Sequence, residues 1–377
     1  MHFVRFFQKK GYDVHLAYRN RIPGTESTAS VFSREYLLEK AVPENSLFKE
    51  FAKKIKLRCI KGIPHMVVNY KVTSQKELIS NIRAEQYTLI LTRYLYDSAI
   101  LFDIPEYRKG IIIDFDDVLS GPIFTMYNAP RASLIGKLKN IFQKRLLIQY
   151  EKRCLNFGAA LFCSEEDKIE VAGNKQNAFV IPNVFADDSF GGYEFDNGFH
   201  NGNTLLFIGT LSYLANSEGL KWFVNDIFPS FKERYPDAKI LVVGASPSDD
   251  VRILCRQNDL ELHSDVPDVK KYYKMCKAVI VPLLSGAGTR IKILEAALSK
   301  RPVLSTPLGA EGLHFQDGEE LLLFQSSSDF LAKFKMLDSV ERYDRIVKNA
   351  ERLVKEKFST RQFDESMNKV LEAMEIF

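Results

Sequence analysis

The sequence predicts an α/β protein built from two doubly wound parallel-sheet domains. Three observations carry that prediction. From residue 204 onward, short β-branched apolar runs alternate with helical segments. The first half shows the same alternation less regularly. Between them, residues 186–203 (ADDSFGGYEFDNGFHNGN) are rich in Gly, Asn and Asp and lack any apolar period, the composition of an interdomain linker. A chain of 377 residues is long enough for two domains.

In order, the expected strands of the first half are 13–18, 88–91, 110–114, 160–164 and 179–182. Those of the second half are 204–210, 239–245, 260–264, 278–284, 302–306 and 321–324, after which the chain turns mostly helical. The domain division that follows is 1–185 for the N-terminal domain, 186–203 for the linker and 204–355 for the C-terminal domain. Residues 356–377 then form a helix that returns to the N-terminal domain.

Charge and composition exclude several classes. Lys and Arg number 52 against 48 Asp and Glu, and +4 is too mild for a dedicated nucleic-acid binder. The charge is uneven: residues 1–100 hold 17 basic and 9 acidic side chains, +8, which leaves −4 for the rest. Residues 51–76 hold seven basic side chains and no acid, and Phe48, Phe51, Ala52 and Ile55 recur at helical spacing beside Lys49, Lys53, Lys54 and Lys56. Two readings stand: an outer helix with its apolar stripe on its own sheet, or a helix seated on an anionic membrane surface. The longest run without a charged residue, 197–217, contains four Asn and three Gly and cannot cross a bilayer. MHFVRFFQKK at the N-terminus lacks a signal peptide's apolar core, so the expected compartment is the cytosol, with a peripheral site at the inner face of the plasma membrane under the membrane reading. Cys59, Cys154, Cys163, Cys255 and Cys276 have no CxxC spacing, and no His pairs with Cys or Glu at ligand spacing; neither a zinc site nor a Ser/His/Asp triad is expected.

The chemistry concentrates in residues 279–297. A strand runs into the loop Ser285-Gly286-Ala287-Gly288-Thr289, and a helix starts near Arg290. Gly286 and Gly288 let the backbone approach a ligand, and a helix N-terminus presents unpaired N–H groups with partial positive charge, which suits a diphosphate. Arg290 stands where a guanidinium adds to that charge. Lys292 and Glu295, three apart, share one helix face; Glu295 is placed to accept from vicinal sugar hydroxyls, or the two form a plain helix pair. In the first half, IIIDFDDVLSG sets Asp114, Asp116 and Asp117 at a strand end, where carboxylates serve as a base, as metal ligands, or as caps and loop acceptors.

The string GAGTRIKILEAALSKRPVLSTPLGAEGL (286–313) resembles the nucleotide-sugar site of family 4-type (group 1) retaining glycosyltransferases of the GT-B fold, in the branch with a GTRxKxLEA motif. The similarity extends to FIGTLSYLANSEGLKWF (207–223), which brings in Gly209, Thr210 and Asn216, and to DVPDVKKYY (265–273), which places Val266 near the nucleotide base. The resemblance implies two Rossmann-like domains and a nucleoside-diphosphate sugar bound by Gly209, Thr210, Asn216, Val266, Gly286, Gly288, Thr289, Arg290, Lys292 and Glu295. It implies no further cofactor and no metal. Glu295 matches the second Glu of the family's E-x7-E motif, which holds the ribose, whereas Ala287 replaces the first. Tyr213, Asn216 and Ser217 occupy a loop that carries Arg and Lys in many members, so diphosphate charge falls on Arg290, Lys292 and backbone N–H groups. Asp116 or Asp117 falls where relatives place a cleft His, which implies a role in orienting the acceptor; with Arg290 these are the catalytic candidates. Ser164, at a strand end, and Asn183, in VIPNV, are read as structural.

Relatives also begin with a strand and a glycine-rich loop before their first helix. Residues 1–10 read as that helix, ending at Gly11 before strand 13–18, so the first strand is expected to be missing and the N-terminal sheet to carry a gap or a substitute strand. The implied activity is transfer of a sugar, with retention, from a nucleoside-diphosphate sugar to a glycan or lipid-linked acceptor in polysaccharide or cell-surface glycan synthesis. Nucleic acid is not an expected partner. A non-catalytic binding subunit on the same scaffold, or a sugar-nucleotide epimerase, is the alternative.

Overall fold

The computed structural model describes residues 2–18, 32–38, 62–64, 67, 72–116, 118–121, 134–184, 194–285 and 290–376. The chain divides into two compact units, Met1–Ile181 together with Asp364–Phe377, and Pro182–Phe363.

In the second unit, β7 (Thr204–Ile208), β8 (Lys239–Gly244), β9 (Glu261–Ser264), β10 (Ala278–Val281), β11 (Val303–Ser305) and β12 (Leu322–Leu323) form one parallel sheet in the order β12-β11-β10-β7-β8-β9. Strands covered on both faces read as continuous apolar runs rather than alternating ones. TLLFI and AVIV do so, and Leu205, Leu206, Phe207 and all of β10 are fully buried. Each strand expected from the sequence is present, shortened at its ends where loops begin. The helices are α5 (Leu214–Trp222), running through a π turn at Phe223–Ile227 into α6 (Phe228–Arg234), then α7 (Asp249–Gln257), α8 (Lys270–Met275), α9 (Ile291–Leu298), α10 (Ser327–Met336) and α11 (Val340–Lys357). Ser248, Ser326 and Ser339 cap α7, α10 and α11 by accepting the N–H three residues on. Edge-to-face contacts among Phe223, Phe231, Phe324, Phe330 and Phe334 fill the layer on one face of the sheet.

Buried Arg301 lies at the end of α9. Its guanidinium donates to the carbonyl oxygens of Tyr273 at 2.6 Å, Asp196 at 2.7 Å, Lys300 at 3.0 Å and Ser299 at 3.1 Å. With Phe195 buried as well, residues 194–203 pack into the second unit; residues 185–193 lie outside the described residues.

The first unit carries two ladders among its described residues. β1 (His15–Tyr18) pairs in parallel with β2 (Arg34–Leu37), while β3 (Ile90–Arg93), β4 (Ile111–Asp114), β5 (Ala159–Phe162) and β6 (Ala178–Val180) form a four-stranded parallel sheet. β2 (REYL) is not among the expected strands because its two charged residues hide an apolar run of only two. Strand 88–91 is displaced to Ile90–Arg93, which carries Arg93 into register with Asp114. The helices are α1 (His2–Lys9), α2 (Val72–Glu85), α3 (Leu134–Cys154) and α4 (Glu165–Ala172). Gly11, with φ of 85°, turns the chain from α1 toward β1. Ser164 caps α4 through the N–H of Asp167, the structural role read for it. α12 (Thr360–Ala373) ends within this unit, and Lys9 reaches Asp364 at 2.8 Å. The basic helix expected around 48–56 lies outside the described residues; among those described, no helix is long and apolar enough to cross a membrane.

Candidate active site

The site in the second unit starts from a glycine. β7 ends at Ile208, and a Cβ on Gly209 would stand 2.8 Å from Asn216 Nδ2 and 3.0 Å from Lys292 Nζ, so the absent side chain makes room for both. Asn216 is buried in the first turn of α5. Its Nδ2 donates to Thr210 O at 2.9 Å, which orients the amide, and its Oδ1 accepts from Lys292 Nζ at 2.8 Å. The ammonium is also 5.5 Å from the centre of the Phe207 ring. Burial, then the neighbouring Arg290 guanidinium, pushes Lys292 down to about 7, while Glu295 acts in the opposite direction. Arg290, buried itself, is the N-cap residue of α9. Two cationic side chains are thus gathered at one helix N-terminus, with one held only partly charged near neutrality.

Glu295 lies one turn further along α9. Burial raises its carboxyl above the ordinary carboxylate range, and a hydrogen bond from Tyr273 Oη to Oε2 at 2.9 Å opposes that rise, as does Lys292. Lys292 and Glu295 form no ion pair within 4.0 Å; the ammonium is turned across to α5 instead. Tyr273, fully buried, is braced in turn by Arg301 through its backbone carbonyl. Sequence reasoning passed over Tyr273 and Arg301, although Tyr273 closes the DVPDVKKYY block. Val266 packs half-buried against the cluster that holds Tyr273 and Leu294. Gly286, Gly288 and Thr289 lie outside the described residues.

In the first unit, Asp114 and Asp116 sit at the carboxyl end of β4. Arg93, at the end of β3, points its Nε at Asp114 Oδ2 (3.5 Å) and its Nη2 at Asp116 Oδ1 (3.4 Å), and lies 5.2 Å from the centre of the Tyr94 ring. Cys163 Sγ approaches Asp116 Oδ1 at 3.5 Å. Tyr94 and Asp116 both have positive φ, 68° and 53°, so two adjacent strand ends carry non-glycine residues in the left-handed region. Burial, then Asp116, holds the Tyr94 phenol above its ordinary value. Asp117 lies outside the described residues. Among those described, no three His, Cys, Asp or Glu side chains converge as metal ligands do.

Residues 202–337 match the family model for glycosyl transferases, group 1. A protein of Klebsiella pneumoniae described as an uncharacterized 44.6 kDa protein in the cps region is 28% identical over 192 residues. That match covers 48% of this chain and 48% of the relative, so it spans about half of the relative's length. Among solved structures, sucrose-phosphate synthase from Thermosynechococcus elongatus aligns with a TM-score of 0.66 at 14% identity, covering 97% of this chain and 90% of that one. Anabaena HepE in complex with UDP and glucose aligns at 0.62 and 15% identity, covering 96% and 99%. The fold is GT-B, with a Rossmann-like parallel sheet in each unit.

Proposed function

We propose that the chain is a glycosyltransferase that moves a sugar, with retention, from a nucleoside-diphosphate sugar to a glycan or lipid-linked acceptor. The observation that carries this reading is the Gly209–Asn216–Lys292 arrangement beside Arg290 at the start of α9, inside the segment that matches group 1 glycosyl transferases. As the bond between sugar and diphosphate breaks, negative charge grows on the leaving group. The α9 N-terminus, Arg290 and Lys292 meet that charge with fixed dipoles and two cations, without need of a metal. Glu295, steadied by Tyr273, offers its carboxylate to the ribose hydroxyls. Gly286, Gly288 and Thr289 supply backbone to the diphosphate, Thr210 and Val266 line the donor, and front-face attack accounts for retention. Asp116 and Asp117 orient the acceptor from the N-terminal unit.

The cps-region relative supports an acceptor in polysaccharide synthesis, and HepE, described with UDP and glucose, supports a UDP-linked donor. Calorimetry of the chain with UDP, GDP and ADP sugars tests the donor: one should bind, and Lys292→Ala should weaken it at least tenfold. Binding of none would overturn the reading. For a transferred sugar, the anomeric configuration of the product by NMR decides retention.

A further inference from the structure

Helix α3 carries apolar side chains on two opposite faces. Leu147, Tyr150 and Cys154 are fully buried in the core of the first unit. Leu138, Ile141 and Phe142 are 68%, 52% and 47% exposed. At about 100° per residue these three fall together, on the side turned away from Leu147 and Tyr150. Residues 122–133, which lead into α3, lie outside the described residues, and the exposed face is drawn from Lys137 onward. Among the described residues, the other helices that expose a large apolar side chain expose one each, as Ile169 in α4 and Ile253 in α7 do. Single exposed apolar residues are ordinary, whereas three on one face of one helix mark a surface that meets something other than water.

The charge on this stretch is of one sign. Residues 118–150 hold five basic side chains and no acid. Lys137, Lys144 and Arg145 are exposed. Lys137 and Lys144 line one flank of the apolar three, and Arg145 continues the face one turn beyond Ile141. The first acid of the helix, Glu151, is buried and turned inward, accepting from the backbone N–H of Ser120 at 2.9 Å and from its hydroxyl at 2.5 Å. It also stands roughly 15 Å along the helix from Ile141, at about 1.5 Å per residue. The first half of α3 is therefore both apolar and basic on its outward side. A bilayer with anionic headgroups offers both complements at once: apolar side chains enter the acyl boundary, while Lys and Arg stems keep their charged ends at headgroup level.

We propose that the first half of α3 docks on an anionic lipid bilayer, with Leu138, Ile141 and Phe142 in the acyl boundary and Lys137, Lys144 and Arg145 against headgroup phosphates. Too charged to cross, α3 lies along the surface. This face is separate from residues 48–56. Docking of this kind needs neither nucleotide nor turnover, so it stands apart from the transfer activity proposed above.

Flotation of the whole chain with vesicles of phosphatidylcholine, with and without phosphatidylglycerol, tests it. At low salt the anionic vesicles should bind the chain at least tenfold more tightly than the neutral ones. Molar salt should release it, since the screening length falls to about 3 Å. Replacing the apolar three together (Leu138→Ser, Ile141→Ser, Phe142→Ser), or the basic three together (Lys137→Gln, Lys144→Gln, Arg145→Gln), should weaken binding at least tenfold with the melting temperature unchanged. A local readout that does not rest on those variants comes from Phe142→Trp. Its added indole fluorescence should be quenched by brominated acyl chains in anionic vesicles, measured against the native protein, in which Trp222 is the single tryptophan. Equal binding to both kinds of vesicle, binding to neither, binding that survives the apolar substitutions, or an unquenched indole in Phe142→Trp would each overturn the proposal. Loss of a dimer in place of loss of vesicle binding would assign the face to a second copy and overturn it as well.

Discussion

The two units meet the same structural requirement to different degrees. In the second, β7 has a bonded neighbour on each edge and Leu205, Leu206 and Phe207 are fully buried beneath helices. In the first, β1 and β3 have one neighbour each among the described residues, and Leu16, Leu89 and Leu91 remain half-covered. The consequence reaches the sites. Gly209 and Lys292 hang on a central strand and a helix packed over it, so their geometry is fixed by a dense core. Arg93 and Asp116 stand at the ends of the paired strands β3 and β4, and their geometry depends on partly exposed side chains meeting at the end of that pair.

The largest effect that would sharpen this contrast is Arg301→Ala. It leaves several buried carbonyls without a donor, at about 1–3 kcal/mol for each, and should destabilise the second unit by about 3–5 kcal/mol while the first unit's unfolding is unmoved. Denaturation followed by hydrogen exchange in both sheets would show it; equal loss in both would break the distinction. Next, Glu295→Ala should weaken nucleotide binding by about 2–3 kcal/mol through lost ribose hydrogen bonds. Tyr273→Phe, which leaves the carboxylate in place, should keep calorimetric affinity within about threefold, an order-of-magnitude bound for one braced contact. If Tyr273→Phe is as damaging as Glu295→Ala, the carboxylate serves the fold and not the nucleotide.

A smaller effect concerns pH. Lys292 stands at about 7 in the free protein, and a diphosphate beside it would raise that value. Binding strength contributed by the ammonium is then complete below about 7 and is lost as pH rises from there toward the raised value of the complex. Affinity for the nucleotide should fall by at most about tenfold per pH unit above neutrality, and Lys292→Met should flatten the profile. A flat profile in the wild type would remove Lys292 from the diphosphate. The smallest effect is on stability in Arg93→Ala: the pair is partly exposed, so the change should be under about 1 kcal/mol, with nucleotide affinity unchanged and turnover reduced. Unchanged turnover would leave the β3–β4 end a structural device.

Much of this was legible in the residues. Apolar runs such as TLLFI, KILVVG and AVIV have no other use than a sheet covered on both faces, so the second unit's strands follow from composition alone. The placement of Arg290 at the start of a helix, with Lys292 and Glu295 one turn in, followed from the loop and the helical period. β2 escaped notice because a four-residue edge strand with two charged residues carries little periodic signal. Strand β3 sat two residues further on than expected, since the apolar run alone does not fix where pairing begins.

The sequence by itself determined the alternation of strands and helices, the glycine at Gly209, and the cations of α9, because each rests on local period or on the absence of a side chain. Only the tertiary structure decided which partners those residues take. Asn216 and Lys292 are 76 positions apart, Tyr273 and Glu295 are 22 apart, and Arg93 and Asp116 are 23 apart. No local pattern couples such pairs; they meet because parallel strands in register bring the ends of separate crossovers together.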